Sequence, residues 1–413
     1  MLLEEILSKS NMHHAFERVV ANKGAAGVDG IGFLDFANEV RSKWLLIKSE
    51  LENGDYHPQA VKRVKIPKAN GGTRLLGIPT YMDRMIQQSI SQVLSGIYDP
   101  EFSVNSYGFR AEKNAHQALE KAKEYINAGY SHVVDLDLEQ FFDRVNHDKL
   151  MSLLSGKIKD KRTLKLVRSY LSCGIMENGL VSPRREGTPQ GSPLSPLLSN
   201  IILNELDKTL EERGHIFVRY ADDCSIYVRS RKSAYRVMAS ISGYLEDELK
   251  LKVNREKSKV SRPTASTLLG FSFYGSKEGW KMRIAPKSLK SIKQKIREHT
   301  KRNHPASTVE RIDKLEKVIR GWVNYFSIAK AKVHLLRLDE IVRVRLRMII
   351  WKQWKRIHTR MRNLIKLGIP KNKAYEWSNS RKSYCRIAHS PILSRALNNA
   401  YFTKLKYTGF VNY

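Results

Sequence analysis

A chain of 413 residues exceeds what one compact core usually holds, and 41% apolar with 9% aromatic residues excludes wholesale disorder. The 73 Lys and Arg against 41 Asp and Glu leave a formal charge of +32, which argues against an enzyme of small neutral metabolites and for a polyanionic partner. Cys173, Cys224 and Cys385 lie too far apart for a disulfide framework or a cysteine zinc site and read as buried thiols, and no apolar run approaches the roughly 20 residues of a membrane span.

The first residues, "MLLEEILSKSNMHHAF", carry acids where a signal peptide carries bases, so the protein is expected in the cytoplasm. Residues 1 to about 55 read as helices with a Gly-punctuated loop, "NKGAAGVDG". "VKRVKIPKANGGTRLLGIP" follows as two strand-like runs about an Asn-Gly-Gly turn, a β-hairpin signal rich in bases that suits phosphates. Helical spacing returns in "YMDRMIQQSISQVLSGIY" and "NAHQALEKAKEYINAG". "HVVDLDL" then switches to period two, placing Val134, Leu136 and Leu138 on one face and Asp135 and Asp137 on the other. A helix is expected from about Asn146, turning Leu150, Leu153 and Leu154 inward, and another through "SPLLSNIILNELDKTLEERG".

"HIFVRYADDCSIYV" alternates on both sides of Asp222 and Asp223, so it reads as strand, tight turn, strand, with the two acids at the tip. Strands interleaved with helices indicate a mixed α/β body to about residue 280. Beyond it, "SLKSIKQKIREHTKR", "VERIDKLEKVIRGWVNYF" and "VHLLRLDEIVRVRLRMIIWKQWKRI" read as three helices of a separate basic domain. The final 55 or so residues, broken by Gly368, Pro370 and Pro391, form a small appendage. From Lys281 onward there are 33 basic and 7 acidic residues, so the body is nearly balanced and the charge sits in the last third. Trp322, Tyr325, Trp351 and Trp354 interleave with those bases, which favours nucleic acid over a membrane surface as the partner.

The adjacent acids need a reason. Two neighbouring carboxylates near a core repel, one tends to keep its proton, and a divalent cation removes that cost. One hairpin supplies too few ligands for magnesium, which wants six oxygens, so a second strand must contribute; "VVDLDL" offers Asp135 and Asp137. Three carboxylates holding two ions about 4 Å apart suit in-line displacement at phosphorus. An Asp-Asp pair in a turn is more often only a solvated loop. The second acidic strand and the +32 charge together favour the metal.

The order of motifs resembles the reverse transcriptases encoded by bacterial group II introns. The matching pieces run nearly end to end: "NKGAAGVDG", "IPKANGGTRLLGIP", "SYGFRAEKNAHQAL", "VVDLDLEQFFDRVNH", "EGTPQGSPLSPLLSNIILNELD", "VRYADDCSIYV", "LKVNREKSKV", "LGFSF" and "GWVNYF". The resemblance implies an α+β right-hand polymerase of fingers, palm and thumb, with an antiparallel palm sheet and a basic helical thumb that doubles as maturase region. The expected boundaries are an N-terminal extension at 1–55, fingers and palm at 56–280, thumb at 281–357, and a basic DNA- or RNA-binding appendage at 358–413.

What the resemblance implies for function is RNA-directed DNA synthesis with two Mg2+ ions and deoxynucleoside triphosphates, and assistance to splicing through intron RNA. An RNA template, a DNA primer and target DNA are the other implied partners. Asp222 and Asp223 match the metal ligands of "YADD"; Phe142 matches the aromatic that excludes a 2′-hydroxyl, and counting back five residues selects Asp137 as the third ligand, with Asp135 as the alternative. Gln190 and Gly191 correspond to a segment beside the incoming nucleotide. Lys68 and Arg74 match triphosphate contacts. Lys257 or Lys259 would protonate the leaving pyrophosphate, and Lys257 joins the nucleotide-binding set.

Arg63, Lys65, Arg110, Arg320, Arg343 and Arg347 are expected on nucleic-acid backbone. Trp322, Tyr325 and Phe326 recur at helical spacing and read as thumb core, "LGFSFYG" as a primer grip or a plain hairpin, and His13, His14 and His147 as caps or surface residues. Nothing after Lys355 supplies the paired cysteines and His-Asn-His core of the endonuclease module many relatives carry, so none is expected. Two rival functions remain: a maturase that no longer polymerises, and a reverse transcriptase of retron, diversity-generating or defence type.

Overall fold

The computed structural model describes residues 1–67 and 72–412. The chain divides into two compact units, Met1–Leu268 and Leu269–Tyr413. None of the described helices is long and apolar enough to cross a membrane.

The first unit is a mixed α/β body with two four-stranded sheets. In one, β1 (Val61–Pro67) pairs antiparallel with β2 (Thr73–Ile78); β4 (Ile175–Glu177) lies parallel to β1 and carries β5 (Leu180–Ser182) as a hairpin partner. The β4–β5 pair went unread in the sequence, although Asn178-Gly179, both at positive φ, is a strong two-residue turn between apolar residues. The other sheet runs β6 (Ile216–Tyr220), β7 (Asp223–Val228), β3 (His132–Leu136), β8 (Lys259–Ser261), every neighbour antiparallel.

Helices cover this second sheet. Ser195–Glu212 turns Ile202, Leu206 and Leu210 into the core; Arg231–Asp247, capped by Ser230, turns in Val237, Ile241 and Leu245. The 1–55 segment has no core of its own. Leu3, Ile6, Met12 and Phe36 join one hydrophobic cluster with Tyr81, Met85 and Ile86 of the helix Tyr81–Tyr98. Burying those faces against a long helix is what stabilises such short ones.

The second unit begins before the expected boundary at 280. β9 (Phe271–Ser276) and β10 (Gly279–Ile284) form a hairpin in it, because Phe271 packs 4.8 Å from Phe326 and 5.7 Å from Tyr325, centroid to centroid. Trp322 lies 4.6 Å from Phe326, so these aromatics are core, as their spacing suggests. The expected split at 357/358 also has no physical counterpart: Ile319, Leu346, Trp351, Leu364, Leu397, Phe402 and Phe410 belong to one cluster. Two buried acids hold its last turn. Asp339 accepts from Tyr407 Oη (2.7 Å) and the Phe410 amide (2.8 Å), and Glu316 from the Thr408 amide (2.9 Å). Cys173 and Cys224 are buried, whereas Cys385 is exposed, against the expectation of three buried thiols.

Candidate active site

The antiparallel sheet sets the geometry. Leu136 on β3 pairs with Cys224 on β7, so the same register carried one residue further sets Asp137 opposite Asp223, at the spacing of cross-strand neighbours. Tyr220 faces Asp223, which makes Ala221-Asp222 the two-residue turn. The tip is therefore Ala221 and Asp222, while Asp223 opens β7; the expectation that both acids form the tip is shifted by one residue.

Asp137 is fixed by its backbone. Its amide donates to Ser258 Oγ (3.0 Å) and its carbonyl accepts from the Asn254 amide (2.9 Å). Its carboxylate meets Lys257 Nζ at 3.2 Å, while Lys259 Nζ turns away to the Ala265 carbonyl (3.1 Å). Asp135 is different. It is half-buried, it accepts from Ser225 Oγ (2.9 Å) and Ser266 Oγ (3.0 Å), and its buried Oδ2 has no partner; loss of solvent around the carboxyl raises its proton affinity. Its hydrogen bonds to Ser225 and Ser266 tie it to the sheet.

Burial raises the proton affinity of Asp222, and Asp137 adds to the rise while Arg74 and Lys257 oppose it. Asp223 is pushed up to about 6, first by burial and then by Asp222, Asp137 and Asp135. The site thus holds more negative charge than Lys257 neutralises. Carboxylate oxygens from two neighbouring strands are the hard donors that magnesium takes, so the donor set fits that ion. Among the described residues no three or more His, Cys, Asp or Glu side chains stand as a ready-made metal cluster, and the Lys257 ammonium lies against Asp137 instead.

The loop Gly187–Gly191 lies along one side. Its Thr188 amide donates to the Phe142 carbonyl (2.6 Å), and the Gly187 amide to that of Val145 (2.8 Å). His147, expected at a cap or on the surface, is buried directly after the capping Asn146, its Nε2 2.7 Å from the Gly187 carbonyl. Gln190 holds β2 twice, accepting from the Gly77 amide (2.8 Å) through its carbonyl and from Arg74 Nε (2.9 Å) through Oε1. Gly191 sits at φ +108°, where a Cβ would meet the Gly77 carbonyl at 2.8 Å, so glycine is required. The candidate nucleotide residues Arg74, Phe142, Gln190 and Gly191 thus belong to one stitched assembly; Lys68 lies outside the described residues.

The candidate backbone contacts fare unevenly. Arg110 is committed to protein: Nε meets Asp99 Oδ1 at 2.7 Å and its other nitrogens bind the Asp99, Ser103 and Ser106 carbonyls. Arg347 is buried and donates to the Leu397 carbonyl (3.1 Å). Neither guanidinium is offered to phosphate, which corrects both assignments. Arg63 and Lys65 share Glu177, at 3.4 and 2.7 Å; Arg320 is exposed and Arg343 half-buried.

One group escaped the sequence reading. Arg219, fully buried within β6, pairs with the equally buried Asp207 at 2.7 and 2.5 Å and donates to Asn200 Oδ1 (3.0 Å), Ser106 Oγ (2.8 Å) and the Ala221 carbonyl (3.0 Å). A lone Arg inside an apolar strand was the available signal, because such a charge is tolerated only when paired.

Comparisons with known proteins identify the family. The family described as "Reverse transcriptase (RNA-dependent DNA polymerase)" matches residues 66–273, and "Group II intron, maturase-specific domain" matches 289–368. Protein YkfC of Escherichia coli K12 is 31% identical over 314 residues, 66% of this chain and 81% of that protein. The group II intron-encoded protein LtrA of Lactococcus lactis is 39% identical over 200 residues, 47% of this chain but only 32% of LtrA. Among solved structures, a chain of a partial Cas6-RT-Cas1–Cas2 complex matches 60% of this chain and 43% of its own length, at 22% identity and a TM-score of 0.39. With a reverse transcriptase match across half its length and a maturase-specific match behind it, the chain belongs to the reverse transcriptase family, in the branch that carries a group II intron maturase domain.

Proposed function

We propose that this reverse transcriptase copies RNA into DNA at Asp137, Asp222 and Asp223, and that its second unit grips the RNA of a group II intron and helps it splice. In this reading the β6–β7–β3–β8 sheet is the palm, β1 and β2 belong to the fingers, and the helical second unit is the thumb. Asp137 and Asp223 as cross-strand neighbours, with Asp222 at the turn beside them, carry the proposal.

Two divalent ions would supply activation of the primer 3′-oxygen and stabilisation of the departing pyrophosphate. The three carboxylates hold the positive charge that the RNA–DNA hybrid and a deoxynucleoside triphosphate require. Arg74 offers a guanidinium fork to triphosphate oxygens while Gln190 fixes its direction. Phe142, tied through its carbonyl to Thr188, would close on the sugar. Lys257 leaves Asp137 when the charge there is met by metal, and gives its proton to the leaving group. Exposed bases such as Arg320 track nucleic-acid backbone. Work on RNA and target DNA would place the protein in a ribonucleoprotein near the bacterial nucleoid.

The maturase-specific match at 289–368 favours the intron type over retron, diversity-generating or defence types. Retention of three mutually repelling carboxylates disfavours a maturase that no longer polymerises, because an idle site gains nothing from holding them together. The test is primer extension on an RNA template beside a splicing assay, for wild type and Asp222→Ala. DNA synthesis is expected to vanish in the variant while splicing assistance persists. Absence of synthesis by the wild type, with RNA bound, would refute polymerisation; equal loss of both activities in a folded variant would refute the division of labour.

A further inference from the structure

We propose that Arg219, together with Gly108 packed against the Ala221 backbone, is a positioning device that holds the Ala221-Asp222 turn in the geometry in which the Asp222 carboxylate takes metal. This rests on the polymerase reading of the same site. Arg219 touches neither substrate nor metal; it acts through the backbone of the turn.

Three independent observations converge on that turn. Ala221 has φ +55°, a conformation a residue with a Cβ adopts only when its surroundings impose it. The imposing contacts are visible. The Arg219 guanidinium donates to the Ala221 carbonyl at 3.0 Å. The backbone of Gly108 lies so close that an added Cβ would stand 2.2 Å from the Ala221 nitrogen. The two halves are tied together: Asn200 donates to the Gly108 carbonyl (2.9 Å) and accepts from Arg219 (3.0 Å), and Arg219 exchanges backbone hydrogen bonds with Asn105 and Tyr107, each 2.9 Å.

Asp207 completes the device. It takes two nitrogens of the fork, which leaves the remaining one no freedom to turn away from Ala221. A buried Arg–Asp pair adds little to stability compared with apolar residues of the same shape. A guanidinium whose every direction is spoken for is, by contrast, well suited to fixing one peptide. Supporting groups of this kind typically change metal affinity by about 10- to 100-fold when removed.

The test uses the full chain and Mn2+ alone as probe, bound Mn2+ being read by electron paramagnetic resonance, with primer extension run in parallel. Gly108→Ala pushes the turn without touching any charge. Arg219→Lys keeps a cation beside Asp207 but loses the fork to the Ala221 carbonyl. Gly96→Ala, where an added Cβ meets nothing within 4 Å, is the control.

The first two are expected to melt cooperatively at a lowered midpoint, to bind Mn2+ about 10- to 100-fold more weakly at a temperature where both are folded, and to lose kcat with an unchanged KM for template–primer. Wild-type Mn2+ affinity in a folded Gly108→Ala would overturn the proposal. So would loss of any cooperative melting transition in both variants, which would make the contacts plain supports of the sheet. A wild type that binds Mn2+ but extends no primer would instead refute the polymerase reading and leave the positioning result standing on affinity alone.

Discussion

Replacing Lys257 by Met should move metal affinity and turnover in opposite directions. Its ammonium lies 3.2 Å from Asp137 Oδ1, and it also lowers the proton affinity of Asp222 and Asp223. A cation entering the site must first displace it. The pair is open to water, with side chains 61% and 31% exposed, so its strength is that of a surface ion pair, about 0.2–1 kcal/mol, and not that of a buried one. Removing it should therefore tighten Mg2+ or Mn2+ binding by about 1.5- to 5-fold, by the usual conversion of 1.4 kcal/mol per decade. Proton donation to the leaving pyrophosphate would be lost, and kcat should fall by about 10²-fold or more. Calorimetric titration of the metal-free protein at pH 8, where the carboxylates are ionised, measures the first effect; single-turnover extension measures the second. Weaker metal binding by Lys257→Met would refute the competition, and unchanged turnover would remove Lys257 from the chemistry.

Metal affinity should fall as pH drops below about 6, because Asp223 must then give up a proton to bind a cation. The sign for the metal-free protein is opposite to the ordinary carboxylate case. With the folded value raised from 3.8 to about 6, the folded chain keeps a proton the unfolded chain has released, so stability falls as pH rises through that window, as urea titrations at fixed pH would show. Phe410→Ala should lower the stability of the second unit by about 3–5 kcal/mol, since the ring is fully buried against Trp322, and tryptophan fluorescence in urea reads the loss. Arg110→Ala should leave the salt slope of nucleic-acid binding alone and lose about 1.5–3 kcal/mol of stability.

The acids were legible because period two in "VVDLDL" and the doubled Asp in "YADD" are local signals, and the sheet joins them in register. Their supports were not. Ser106, Asn200 and Asp207 lie 12 to 113 residues from Arg219, and only the fold brings them to one guanidinium. The same limit explains Arg110 and Arg347: positive charge in a sequence does not tell a fork spent on protein carbonyls from one left for phosphate. At the boundary, "LGFSF" fits either neighbour by composition. Its placement follows from Phe271 meeting Phe326, 55 positions later.

Thiol accessibility gives this enzyme an uneven reactivity. Burial keeps Cys224, under the acidic turn, and Cys173 in their protonated, sluggish form, while Cys385 faces water in the basic unit. A maleimide dye at neutral pH should therefore mark the second unit alone and leave the acidic turn of the first unlabelled, giving a single fluorescent reporter of changes around Cys385.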